Sequence, residues 1–287
     1  PRAALAALHH QHLAHGLATR ALRERGTEKI GITLNLTNAV PNNPAEPADI
    51  DAARRIDALW NRAFLEPILL GRYPADFLED VSAHRFDELV HDGDLETIAA
   101  PIDFLGVNHY HDDNVSGLPL PAGEPESLRP TSKPTSSPFV GSEHVTFPSR
   151  GLPRTAMGWE VNPDGLATLL ARLGREYPLL PPLYVTENGS AYDDVVSADG
   201  SVHDADRVDY LEAHLDAVAR AIADGADVRG YFAWSLLDNF EWAWGYEKRF
   251  GIVRVDYDTQ ERTIKDSGLV FARLAAAERQ AQPQPQP

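Results

Sequence analysis

Apolar positions along the chain alternate between two rhythms. Leu5, Leu8, His12, Leu13 and Leu17 recur at helical spacing, and Gly26 is placed to stop that helix. A strand is predicted over Ile30 to Leu36. Asp49 is placed to cap a helix that carries Ile56, Trp60 and Phe64 four residues apart on one face. A second strand, Ile102 to Val107 with Phe104 inside it, runs into Asn108-His109-Tyr110. Residues 112–156, rich in Pro, Ser and Gly, read as one long irregular loop, a length usually functional or disordered. Asn162 is predicted to cap the next helix, with Pro163 in its first turn and Leu166, Leu169, Leu170 and Leu173 inside. The apolar run Leu183-Tyr184-Val185, bounded by Pro181-Pro182 and Asn188-Gly189, reads as a buried parallel strand. Asp204 or Asp206 starts a helix with Val208, Leu211, Leu215, Val218 and Ile222, ended by Gly225. The last predicted strand is Val228 to Ser235, followed by an aromatic loop, a hairpin-like stretch from Gly251 to Thr263, and a closing helix from Asp266 to Arg279. The tail, residues 280–287, alternates Gln and Pro and is expected to be disordered.

The order is a helix and then strand–helix four times, which implies an α/β fold with a parallel sheet covered by helices. Four strands cannot close a (β/α)8 barrel. They could form an open doubly wound sheet, but such sheets normally carry a glycine-rich phosphate turn, and no G-x-G-x-x-G occurs. No internal repeat at a fixed period is present.

Composition narrows the partners. The chain has 287 residues, 43% hydrophobic and 24% charged, as expected of a globular protein with a sizeable core. A net charge of −17, from 26 basic and 43 acidic residues, argues against nucleic acid or an anionic membrane as partner. Without cysteines there are no disulfides and no thiolate metal sites, which fits a cytoplasmic location. No apolar run reaches the ~18 residues of a membrane span, and no signal-peptide pattern occurs. His9, His10, His12 and His15 share one helix, but no carboxylate stands at a matching position, so no metal site is expected. Asp112-Asp113 and Asp193-Asp194 read as turn or loop residues.

Glu187 is the most informative single residue. An ionisable carboxylate at the end of a buried strand is costly unless it is paired or used, and active sites of parallel barrels lie at the carboxyl ends of their strands. It therefore reads as a catalytic carboxylate, against the alternative of a strand-end surface salt bridge. The densest chemistry runs from Trp234 to Phe250: Trp234-Ser235-Leu236-Leu237-Asp238-Asn239-Phe240-Glu241-Trp242, then Trp244, Lys248 and Arg249. A pyranose presents apolar C–H faces and a rim of hydroxyls, which suit flat aromatic platforms and accepting carboxylates. The plain alternative for Phe240 and Trp244 is an aromatic core layer.

The segments Thr186-Glu187-Asn188-Gly189, Trp234 to Trp242, Lys248-Arg249-Phe250-Gly251 and Val255-Asp256-Tyr257 resemble family 1 glycoside hydrolases, the β-glucosidase family. Gly71-Arg72-Tyr73-Pro74, Phe104 to Asn108 and Met157-Gly158-Trp159-Glu160-Val161 extend the resemblance, in the family's order, across nearly the whole chain. The resemblance implies a retaining mechanism on a (β/α)8 TIM barrel and a β-glucoside or oligosaccharide substrate, with no metal or organic cofactor. It places Glu187 on the nucleophile, Tyr110 on the tyrosine that hydrogen-bonds it, and Asn108 on an active-site asparagine. Trp234, Glu241 and Trp242 fall on residues that hold the non-reducing sugar, and Phe250 borders that subsite.

The family's general acid/base is the Glu of an Asn-Glu-Pro motif at the end of strand four, and that motif does not occur in this sequence. The resemblance covers strands five to eight and their helices, so residues 1–279 correspond to the C-terminal half of one barrel domain. The N-terminal half, in cis or as a second chain, becomes an implied partner. The alternative is a catalytically incomplete fragment with at most sugar binding. His109 stands where the family usually has Tyr, a tolerable change. A 6-phospho-β-glycosidase is disfavoured, because those relatives carry Ser where Glu241 stands and Tyr where Phe250 stands, and the carboxylate would repel a phosphate.

Overall fold

The computed structural model describes residues 1–120 and 137–281. In chain order the elements are α1 (Arg2–Glu24), β1 (Gly31–Asn35), β2 (Ala39–Pro41), α2 (Pro47–Asp57), a π-helical turn (Ala58–Arg62), α3 (Ala63–Leu70), α4 (Ala75–Asp80), α5 (Asp94–Ile98), β3 (Phe104–Asn108), β4 (Asp113–Val115), α6 (Pro163–Glu176), β5 (Leu183–Asn188), α7 (Ala205–Ala223), β6 (Val228–Ala233), β7 (Val253–Val255), β8 (Arg262–Ile264) and α8 (Asp266–Ala281).

Four strands form one parallel sheet in the order β1-β3-β5-β6. One face is covered by helices. Leu34, Leu36, Leu105, Val107, Leu183 and Val185 pack there against Leu166, Leu169, Leu170 and Leu173 of α6, Val218 and Ala221 of α7, and Leu65 and Ile68 of α3. The four leucines of α6 are spaced to share one stripe, and Pro163 at the start supplies a preset φ. The opposite face carries Phe104, Tyr184 and Phe232, with Thr33, Gly106 and Thr186 between them. Among the described residues no helix covers it, and Phe232 is 56% exposed. β1 and β6 are the edges of this sheet.

Several expectations change. Glu46, not Asp49, caps α2: its side chain accepts from the Ala48 N–H. Asp49 is buried in the first turn and accepts from Asn43 N–H, Ser116 Oγ and Gly117 N–H, tying the helix to the segment after β4. The single expected helix over Ile56, Trp60 and Phe64 is α2 and α3 joined by the π turn. Asn162 stands at the start of α6, but its amide reaches across to Asp112 Oδ2 at 2.6 Å rather than capping. Asp204 precedes α7 and likewise makes no cap bond. Its carboxylate instead accepts from Ser267 and Arg207. The expected loop over 112–156 contains β4, paired in parallel with β2. Its central part, residues 121–136, lies outside the described residues. So do residues 282–287 of the expected tail, whereas 280 and 281 end α8. No described helix is long and apolar enough to cross a membrane.

Candidate active site

The carboxyl ends of β1, β3, β5 and β6 open onto a cleft of about 540 Å³. Glu187, Tyr110, Trp234, Glu241, Trp242 and Phe250 all line it. So do Phe240, read from the sequence as an aromatic platform or a core-layer residue, and Asn35, Leu36, Thr37, Trp60, His111, Trp159 and Asn239, to which sequence reasoning assigned no role in the site. Asn108 does not line it. Asn108 pairs with Glu187 across the β3–β5 ladder, and its Oδ1 accepts from Thr186 Oγ1 at 2.7 Å.

Glu187 reaches the cleft because β5 breaks its alternation. Val185 faces the helices, so strict alternation would send Glu187 to the same side. The register shifts between Val107 and Asn108, and again between Val185 and Asn188, re-aim the strand end. Asn188 fixes the result from below. It is fully buried, its amide donates to His109 O and Tyr210 Oη, and its Oδ1 accepts from Tyr231 Oη at 2.7 Å. The next residue must be glycine, since a Cβ on Gly189 would lie 1.8 Å from the Trp234 carbonyl oxygen. That close approach draws β6 and its aromatic loop against Glu187.

Tyr110 Oη donates to Glu187 Oε2 at 2.5 Å. Burial raises the phenol's pKa, and the bond to Glu187 raises it further, so Tyr110 keeps its proton and acts as donor. Its ring lies edge-on to Phe250 and 5.4 Å from Trp159. Glu241 accepts from Asn239 Nδ2 at 3.0 Å. Trp242 is 82% exposed and Phe250 is buried, so the loop presents one open aromatic face and one packed anchor. Phe240 is 57% and Trp244 38% exposed, so neither belongs to a buried core layer. Lys248 lies 4.9 Å over the Trp244 ring and donates to Ala156 O.

The loop is moored by buried charge. Asp238 accepts from Arg249 Nη1 at 2.5 Å, Lys265 Nζ at 2.9 Å and the Gly251 N–H at 3.0 Å. Lys265, fully buried, also reaches Asp194, which in turn accepts from Arg207 at 2.9 Å. Burial lowers the Lys265 pKa and Arg207 pushes the same way, while Asp194 and Asp238 oppose both. Asp194 is thus a buried ion-pair partner, not an ordinary turn residue, and Asp112 likewise accepts from Asn38 and Asn162.

Two histidines of α1 are engaged structurally. His9 and His12 each place Nδ1 on Tyr73 Oη, and His9 Nε2 meets Asp94 at 3.0 Å, a carboxylate supplied from far along the chain. No group of three or more metal-binding side chains occurs among the described residues.

The sequence matches glycosyl hydrolase family 1 over residues 1–280. It is 45% identical over 277 residues to a bifunctional beta-D-glucosidase/beta-D-fucosidase of Bifidobacterium breve, covering 95% of this chain and 57% of that one. It is 47% identical over 269 residues to thermostable beta-glucosidase B of Thermobispora bispora, covering 92% and 51%. Among solved structures it resembles a psychrophilic beta-glucosidase from Micrococcus antarcticus, with a TM-score of 0.93, 68% identity and coverage of 96% and 59%. The family 1 beta-glucosidase of Thermotoga maritima gives 0.79, 40%, 94% and 56%. The chain belongs to glycosyl hydrolase family 1. It spans about half the length of the curated relatives it matches.

Proposed function

We propose that this chain is the C-terminal half, strands five to eight, of a (β/α)8 barrel that hydrolyses terminal non-reducing β-D-glucosyl residues with retention. The observation that carries the reading is the Tyr110–Glu187 hydrogen bond of 2.5 Å at a strand end, in a cleft shared with Trp234, Glu241 and Trp242. Support for the half-barrel comes from the sheet: four parallel strands with two unpaired edges, helices on one face and an open face carrying Phe104, Tyr184 and Phe232.

In this reading Glu187 attacks the anomeric carbon as the bond to the leaving oxygen breaks. Tyr110 holds the carboxylate in line. Trp234 and Trp242 supply flat faces, and Glu241 accepts from sugar hydroxyls. Phe250 closes the floor, and Asn108 steadies the strand end through Thr186. The leaving oxygen needs a proton from a second carboxyl group about 5–5.5 Å from the nucleophile. Among the described residues Glu187 and Glu241 are the only acidic side chains lining the cleft, and Glu241 is assigned to the sugar. The acid/base therefore belongs to the N-terminal half. A second reading, a catalytically incomplete fragment with sugar binding only, rests on that same shortage. Purifying the 287 residues alone, and again together with a family N-terminal half carrying Asn-Glu-Pro, decides between them. Cellobiose turnover only in the combined form supports the proposal. Normal turnover by the chain alone, or none in either, overturns it.

A further inference from the structure

Beside Tyr110, His111 lines the cleft and is backed by the buried Asp113, a pair that neither the nucleophile nor the sugar-holding loop uses. His111 Nδ1 lies 3.2 Å from Asp113 Oδ1, at side-chain exposures of 12% and 0%. Apart from that contact, neither carboxylate oxygen of Asp113 has a hydrogen-bond partner among the described residues. A buried carboxylate without donors is costly, so among the described residues the imidazole is the group placed to neutralise it. Asp112 also favours the cation, and His109, a further titratable group in electrostatic contact with His111, is pushed toward its neutral form chiefly by burial. Burial is the largest single influence and opposes the charge, yet the net direction for His111 is upward, because Asp113 and Asp112 together outweigh it. The backbone is also fixed: His111 O accepts from Thr37 Oγ1 at 2.5 Å, and the ring lies 5.2 Å from Trp159.

The sheet order places this pair relative to the substrate. β5, with Glu187, lies between β3 and β6. The loop after β6 forms the wall assigned above to the non-reducing sugar. The opposite wall, from β1 and β3, contributes Asn35, Thr37, His111 and the neighbouring Trp159. A substrate bridging Glu187 must lay its leaving group there. We propose that His111, backed by Asp113, is a specificity-determining donor for hydroxyl-rich leaving groups such as a second sugar. Trp159 supplies the flat face and His111 the charged hydrogen bond. This inference rests on the glycosidase reading of Glu187.

The test has two arms. In the complete barrel, the ratio of kcat/KM for cellobiose to that for 4-nitrophenyl glucoside is measured for the parent, His111→Gln, His111→Phe and Asp113→Asn. Loss of a charge-assisted bond predicts a fall in that ratio of about tenfold or more. An unchanged ratio in folded variants overturns the inference. On the 287-residue chain itself, imidazole nitrogen resonances report the charge state directly. His111 is expected to be cationic at neutral pH, to become neutral in Asp113→Asn, and to shift when cellobiose is added. A neutral His111, or one that ignores cellobiose, overturns the inference whether or not the barrel turns over. Absent turnover with a cationic, cellobiose-sensitive His111 would instead count against the glycosidase reading alone.

Discussion

Replacing Lys265 by methionine tests how the Trp234–Phe250 loop is moored. Methionine keeps the length and most of the volume of the lysine stem, so the cavity term is small. The loss is electrostatic: Nζ donates to Asp238 Oδ1 at 2.9 Å and to Asp194 Oδ2, all within a site where Lys265 is fully buried. Each charge-assisted bond contributes about 1.5–3 kcal/mol, and removing one partner of a buried ion pair costs about 3–5 kcal/mol. Here Asp238 keeps Arg249 and Asp194 keeps Arg207, so the lower end, about 3 kcal/mol, is expected. Against a typical stability of about 5–15 kcal/mol this is a large share. In urea, with a slope of about 3 kcal/mol/M, the unfolding midpoint should fall by about 1 M. The emission of Trp234, Trp242 and Trp244 should change in buffer, before global unfolding, because Asp238 also holds the Gly251 N–H and Arg249 at the loop's base. A midpoint within about 0.2 M of the parent, with unchanged emission, would refute the argument that this cluster holds the loop.

Two other outcomes follow from the geometry. Tyr110→Phe removes the donor to Glu187 while keeping the ring against Phe250 and Trp159. It should lower kcat/KM of the complete barrel about 10- to 100-fold, read by steady-state kinetics on a glucoside. Acid should destabilise the fold through His12, whose pKa burial lowers from 6.5 to about 4, with His9 and His15 pushing the same way. Because the folded value lies below the unfolded one, the unfolded chain takes up the proton first. Stability is then lost as pH falls from 6.5 to about 4, by at most about 3 kcal/mol. Urea midpoints across that window should drop less in His12→Gln than in the parent; equal slopes would exclude His12 as the source.

The alternation of helices and strands was legible because each element carries its own period: Leu166, Leu169, Leu170 and Leu173 for a helix stripe, Leu183 and Val185 for a buried strand. Glu187 and the tryptophans were legible as motifs. The opposite wall of the cleft was not. Trp60 repeats with Ile56 and Phe64 as if in one helix face, but the π turn Ala58–Arg62 turns it so that its Nε1 donates to Asn35 O at 3.1 Å. Asn61 in the same turn grips the backbone of Thr37 through both its amide atoms. No local pattern announces a π turn. The moorings Asp194, Asp204, Asp238 and Lys265 join segments far apart in sequence, and a carboxylate bound for burial looks the same in a string of letters as one in a turn. The direction of Glu187 depends on register shifts set by neighbouring strands, which no single strand encodes.

The most direct test is covalent. A 2-deoxy-2-fluoro glucoside with a good leaving group forms its glycosyl bond with the nucleophile and then stalls, and peptide mapping locates the adduct. In the complete barrel, one glucosyl equivalent on Glu187, absent from Glu187→Gln, is the expected result. Label on Glu241 or elsewhere, or turnover with inversion and no label at all, would contradict the assignment of Glu187 as nucleophile.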